Sequence, residues 1–359
     1  MQLPRSILID TNIFDKYGYN FSAKAIEKFV SIAQRAKLTL LLPDAIEREL
    51  TRHIHAKSAE VRSALKKARQ DAPFLRKWTH WPTPEQEKAA KDVIAASYIA
   101  DLNRFLQTFE VERLGYAGID MVEVMNWHDQ QSPPFGPGAK GKEFPDAFAL
   151  ASCLAYARTK RAKVAVLSAD ADFQKFSASH PELVHFGDLP SLTEALLAEM
   201  DTDARIEVLK AVILANLPIL IEQVHEDFPE LDFYPEEDPE GDVSGVEVKS
   251  VAISDVRIIG LEACSSTIAF AADVRFSAYV EYGDPDSMII DSSEDIRVAI
   301  HTLAGKVVET TRISATATVE FSSDFKSTIS AHGLKMGEEA IAVQTRPPEC
   351  DDPEDRDQP

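Results

Sequence analysis

Three short apolar runs, each closed by a polar or turn-forming residue, constrain this chain more than any other feature. Residues 6–9 run into Asp10, residues 38–42 run into Pro43, and residues 163–167 run into Ser168. Runs this short, without polar alternation, read as strands buried on both faces rather than as helices. Helical patterning separates them. Ser22 is placed to cap a helix carrying Ala25, Ile26, Phe29, Val30, Ile32 and Ala33. Asp44 is placed to cap another, which carries Ile46, Glu47, Glu49 and Leu50. Helical spacing continues to about Gly115, with a break over 78–84, and a Pro- and Gly-rich loop covers 130–141. A further helix starts at Pro145 or Asp146 and reaches about Arg158, and Val184 with His185 suggests a fourth strand. Short apolar strands alternating with helices predict an α/β domain with a parallel sheet.

The second half of the chain changes period. A helix is expected over 199–225, and residues 226–242 then hold nine acids and no Lys or Arg. That stretch reads as an acidic, Pro-containing, solvated linker. Beyond it, Ile268, Phe270, Ala272, Val274, Phe276, Ala278, Val280 and Tyr282 alternate at period two. Residues 243–334 are therefore expected to form a smaller antiparallel β domain, and residues 335–359 an acidic disordered tail. The first domain is assigned to residues 1–198.

The net charge of −21 argues against a protein that coats nucleic acid indiscriminately. Three widely spaced cysteines, Cys153, Cys264 and Cys350, build neither a zinc site nor a disulfide framework and fit a reducing compartment. The N-terminus does not read as a signal peptide, and the most apolar stretch, 212–221, is too short for a membrane span. A soluble cytoplasmic protein is expected.

In a parallel sheet, ligands bind outside the carboxyl ends of the strands. Asp10 stands at the end of the first strand, and Asp170 and Asp172 stand just past the third. Glu49 lies on the helix after the second strand, with Glu47 as the alternative helical acid. Asp146 opens the helix before the third strand, at the positive end of its dipole. Carboxylates that converge repel one another unless a cation sits among them. Mg²⁺ and Mn²⁺ prefer such hard oxygen donors, and two-metal phosphodiester chemistry uses them. Each acid also has a plainer reading: turn former or helix cap for Asp10, Asp146, Asp170 and Asp172, solvated helix residue for Glu49.

The ordered set of strand-Asp in "ILIDTN", helical Glu in "PDAIEREL", helix-start Asp in "EFPDAFALA" and the "VLSADADF" segment resembles the PIN domain nucleases. The resemblance spans residues 6–189. It implies a three-layer α/β fold with a short parallel sheet, and metal-dependent cleavage of single-stranded or structured RNA. It implies that Asp10, Glu49, Asp146 and Asp170 are catalytic metal ligands, with Asp172 a further metal-binding acid near the site and Asn12 and Ser168 orienting carboxylates. It also implies a bacterial toxin or defence role. The helical segment over about 51–141 is longer than in compact members, and the β domain has no counterpart in the minimal fold.

Residues 48–77 hold nine Lys or Arg against three acids, a basic stripe that includes Arg48 and Arg52. Trp78 and Trp81 lie at its end and could stack an unpaired base, and Lys140 and Lys142 precede Asp146. All four cations are candidates for nucleic-acid binding, against ordinary roles as solvated helix and loop residues. The histidines show no zinc signature, His53 and His55 being two apart, and read as structural or surface residues. Two other functions compete with the nuclease. One is a catalytically inactive scaffold that binds a protein partner through the β domain; the other is an Asp-nucleophile phosphatase, which Asn12 disfavours. Self-association is a further expectation.

Overall fold

The computed structural model describes residues 3–344, apart from 73, 75–76, 78–79, 138–142, 201–202, 237–240, 263, 285–286, 292–295, 300, 322–327 and 338–339. The chain divides into two compact units, residues 1–203 and 204–359.

The first unit runs β1 (Ser6–Ile9), α1 (Thr11–Lys16), α2 (Lys24–Arg35), β2 (Thr39–Pro43), α3 (Asp44–Asp71), α4 (Pro84–Gln107), β3 (Glu110–Leu114), α5 (Met121–Asp129), α6 (Phe144–Lys160), β4 (Val164–Leu167), α7 (Ala171–Ser179), β5 (Leu183–Phe186) and α8 (Leu189–Met200). Its five strands are parallel in the order β3-β2-β1-β4-β5. Every residue of the central strands β1 and β4 is buried, which is why their sequences carry no alternation. The chain moves outward from β1 through β2 to β3, then returns to place β4 on the other side of β1. That reversal opens a crevice beyond the carboxyl ends of β1 and β4, the expected ligand position in such a sheet.

Several expectations for this unit are corrected. Helical patterning does not reach Gly115, because Glu110–Leu114 is the edge strand β3. An edge strand has one neighbour and a solvated side, so Glu110, Glu112 and Arg113 are tolerated there and disguise it. Ser22 does not cap α2; Ala23 stands at that position. A short helix, α1, follows β1 directly and is capped by Asp10, whose side chain accepts from Thr11 N. Asp146 is the third residue of α6, after Phe144 and Pro145, so it lies in the first turn rather than at the cap. Val184 and His185 do lie in a strand, β5.

The second unit begins with α9 (Asp203–Ala215) and α10 (Leu217–Asp227). The single helix expected here is broken because Pro218 has no N–H to donate and is suited only to a first turn. Next come β6 (Phe233–Pro235), β7 (Asp242–Leu261), β8 (Ser265–Gly283), β9 (Met288–Asp291), β10 (Ile296–Ala299), β11 (Thr302–Phe321), β12 (Thr328–Met336) and β13 (Ile341–Val343). The main sheet is antiparallel in the order β12-β11-β8-β7. Ile268, Phe270, Ala272, Val274, Phe276, Ala278 and Val280 form its buried face, as period-two alternation requires.

Two segments expected to be unstructured are partly folded. Within the acidic linker, Phe228 is fully buried, and its ring centroid lies 5.2 Å from that of Phe276. β6 then pairs in parallel with β13, inside the stretch expected to be tail. The apolar residues Phe228, Phe233, Ile341 and Val343 outweigh the acids around them, which stay in solvent. Residues 237–240 of the linker and 345–359 of the tail lie outside the described residues. Among the described residues, no helix is long and apolar enough to cross a membrane.

Candidate active site at the carboxyl rim of the parallel sheet

Asp10 is the centre of the rim. It follows β1 directly, and its backbone N–H donates to Leu167 O of β4 at 2.9 Å. Its side chain is held by three donors. Thr11 N reaches Oδ1 at 2.7 Å, while Asn12 Nδ2 at 2.7 Å and Ser168 Oγ at 2.6 Å both reach Oδ2. Asn12 also binds the other segment, accepting from Ala169 N at 3.2 Å and donating to Ser168 Oγ at 3.1 Å. Ser168 is fully buried, and its carbonyl accepts from His185 Nε2 at 2.8 Å. These bonds lock the ends of β1 and β4 together and fix the direction of the Asp10 carboxylate.

Asp170 caps α7. Its Oδ1 accepts from Asp172 N at 2.7 Å, and its own N–H donates to Ser168 Oγ at 3.0 Å. Asp172 is buried in the first turn of α7 and pairs with Lys175 at 3.0 Å. Glu49 comes from α3 and accepts from Thr11 Oγ1 at 3.2 Å. Glu47 faces away, toward Arg113 of β3 at 3.4 Å, so Glu49 is the helical acid at the rim.

Burial and mutual repulsion act together on these carboxylates. Burial pushes the Asp10 carboxyl up to about 6; hydrogen bonds from Ser168 and Thr11 pull it down, and the charges of Glu49 and Asp170 push it up. Burial pushes Asp146 up to about 7, with further repulsion from Asp10, Glu49, Glu143 and Asp170. Four acids from four separate segments therefore feel one another at one rim.

The model of the PIN domain family matches residues 7–173, from β1 to the first turn of α7. This segment is a PIN domain. The match begins inside the first buried strand and takes in Asp10, Glu49, Asp146, Asp170 and Asp172. No curated protein and no solved structure matches the chain. PIN domains are in general nucleases that act on nucleic acid with divalent metal. The stretch expected as a helical insertion, about 51–141, holds most of α3 together with α4, β3 and α5.

The donor set of the PIN domain fits a hard divalent cation. Among the described residues no group of three or more His, Cys, Asp or Glu side chains is placed to hold a metal ion. Mg²⁺ does not require one, because it keeps several waters and takes one or two carboxylates. An open rim of mutually repelling, partly buried carboxylates supplies that chemistry, with hydroxyl and amide groups orienting the central one.

Other residues of the PIN domain rim escaped sequence reasoning. Thr11 bridges Asp10 and Glu49 through its backbone and hydroxyl. His53 stands between two acids, with Nδ1 3.1 Å from Asp15 Oδ2 and Nε2 3.6 Å from Glu49 Oε1. Comparing His53 with His55 hid this; the informative pair is Glu49 and His53, four residues apart on one helical face. Arg52 lies 3.3 Å from Glu49, and the Arg48 guanidinium lies 5.9 Å from the Tyr116 ring centroid. Lys140, Lys142 and Trp78 fall outside the described residues.

Proposed function

We propose that the chain is a divalent-metal-dependent endoribonuclease using Mg²⁺ or Mn²⁺. The observation that carries this reading is the convergence of Asp10, Glu49, Asp146 and Asp170 at the carboxyl rim of a PIN domain. These four side chains would hold the ion, with Asp172 buried alongside Asp170. When bound, the cation supplies positive charge that offsets the carboxylates and the phosphate and favours water attack at phosphorus.

The chain's own groups set the geometry. Asn12 and Ser168 hold the Asp10 carboxylate in one orientation, and Thr11 fixes Glu49 beside it. Such preorganisation lowers the reorganisation needed as charge develops in the transition state. Arg48 and Arg52 flank Glu49 on α3 and supply cations for the phosphate backbone, with Lys140 and Lys142 proposed for the same role. RNA is the substrate favoured by the family resemblance, and a toxin or defence role comes from the same source.

The test is cleavage of labelled single-stranded RNA with Mn²⁺ or EDTA, beside an Asp10→Asn, Asp146→Asn double variant. The expected result is cleavage by the unaltered protein with metal and by nothing else. Metal-dependent cleavage that survives in the double variant would remove the site assignment. No cleavage by the unaltered protein, with no saturable Mn²⁺ effect on melting, would favour a scaffold acting through the β domain.

A further inference from the structure

We infer that Tyr116 is a stacking platform for an unpaired nucleobase of the bound strand, a subsite on the same rim as the acids. The inference rests on the nuclease reading above and adds to it where the strand is held.

Topology supplies the first argument. All five strands are parallel, so the chain leaving β3 emerges at the same end of the sheet as the chain leaving β1, β2 and β4. Gly115 and Tyr116 come directly after β3. The approach of this corner to α3 is close, since a Cβ at Gly115 would meet Asp44 Oδ2 at 3.9 Å. Tyr116 also touches the two helices that carry site acids. Phe148 of α6 packs edge-on to its ring at 5.5 Å, and Arg48 of α3 lies over the ring.

Chemistry supplies the second. Tyr116 keeps 44% of its surface exposed although its ring rests on the aromatic Phe148, so it is anchored and yet open. A fixed aromatic with an accessible π-surface beside cations is the combination that holds single-stranded nucleic acid without reading sequence. The Arg48 guanidinium, at the outer range of a cation–π contact, can move from the ring to a phosphate oxygen when a base enters. Arg48 and Arg52 share one face of α3, so the phosphates flanking the stacked base would run along that face toward Glu49.

The experiment measures steady-state cleavage of a short single-stranded RNA with Mn²⁺, using Tyr116→Leu and Tyr116→Phe. Leucine still covers Phe148 but has no π-face; phenylalanine keeps the ring. Tyr116→Leu is expected to raise KM about tenfold with kcat nearly unchanged, since the contact exists before and during reaction. Tyr116→Phe should behave as the unaltered protein. A series of RNAs carrying one abasic nucleotide at successive positions then locates the stacked base. One position should weaken the unaltered protein by about the same factor and leave Tyr116→Leu unaffected. An unchanged KM for Tyr116→Leu, as expected of a packing residue or a protein-partner contact, overturns the inference, as does equal loss in both variants. Those outcomes leave the nuclease reading standing, because cleavage by the unaltered protein is measured in the same series. If the unaltered protein cuts no RNA, the nuclease reading fails and this one with it.

Discussion

Ser168 Oγ lies 2.6 Å from Asp10 Oδ2, joining two residues 158 positions apart in sequence and both buried. One hydroxyl serves three groups: it donates to Asp10 and accepts from Asn12 Nδ2 and Asp170 N. The carboxylate at the centre of the rim is thus steered by the residue that follows the neighbouring strand β4.

Ser168→Ala should shift the acid limb of the pH–rate profile upward by roughly 0.7 unit. The Ser168 hydrogen bond holds the Asp10 proton affinity down against burial. A hydrogen bond of about 1 kcal/mol corresponds to a shift of under about one pKa unit. A profile superimposable on that of the unaltered protein would show that Asp10 does not depend on Ser168.

The raised proton affinities of Asp10 and Asp146 make a prediction about stability. Both lie above the ordinary 3.8, at about 6 and about 7, so folding favours the protonated forms. Their contribution is fully present below about pH 4, falls as pH rises, and is lost above about pH 7. Asp146→Asn, which is permanently neutral, should therefore melt higher than the unaltered protein at pH 8 in EDTA, by on the order of 2 kcal/mol. Near pH 4 the two should converge. Thermal melts across that range decide it, and a variant less stable at pH 8 would contradict the repulsion argument.

Mn²⁺ at pH 8 should raise the melting temperature saturably. An ion that binds only the folded state at one hundred times its Kd adds about 2.7 kcal/mol. The Asp10→Asn, Asp146→Asn double variant should show little of this rise while being more stable in EDTA. Equal rises in both proteins would place the binding elsewhere.

His53 is a positioning residue in this arrangement. It stands between Asp15 and Glu49, and without it Glu49 retains Thr11 and Arg52 as neighbours. His53→Ala should lower kcat by about tenfold or more with a small change in KM, and His53→Gln should restore part of it. An equal loss in both variants, or a loss confined to KM, would assign His53 a different role.

Much of the PIN domain was legible because burial acts locally. Apart from Ser6, the Ser6–Ile9 and Val164–Leu167 segments are apolar, and that composition predicts strands covered on both faces. The alternation over 268–280 declared a one-faced sheet by the same logic. Edge strand β3 was not legible, because half-solvated strands and amphipathic helices share residue types. Pro235 and Val343 gave no local sign that they lie on paired strands, since parallel pairing across that distance leaves no periodic trace.

By itself, the sequence determined the order of the carboxylates along the chain and the buried elements that carry them. Only the tertiary structure decided which side chains meet. It turned Glu49 rather than Glu47 to the rim, set His53 between Glu49 and Asp15, and brought Tyr116 to the strand ends. Such choices depend on helix rotation and on contacts between segments far apart in sequence. A rotation of about 100° per residue moves a side chain from the rim to solvent without altering composition.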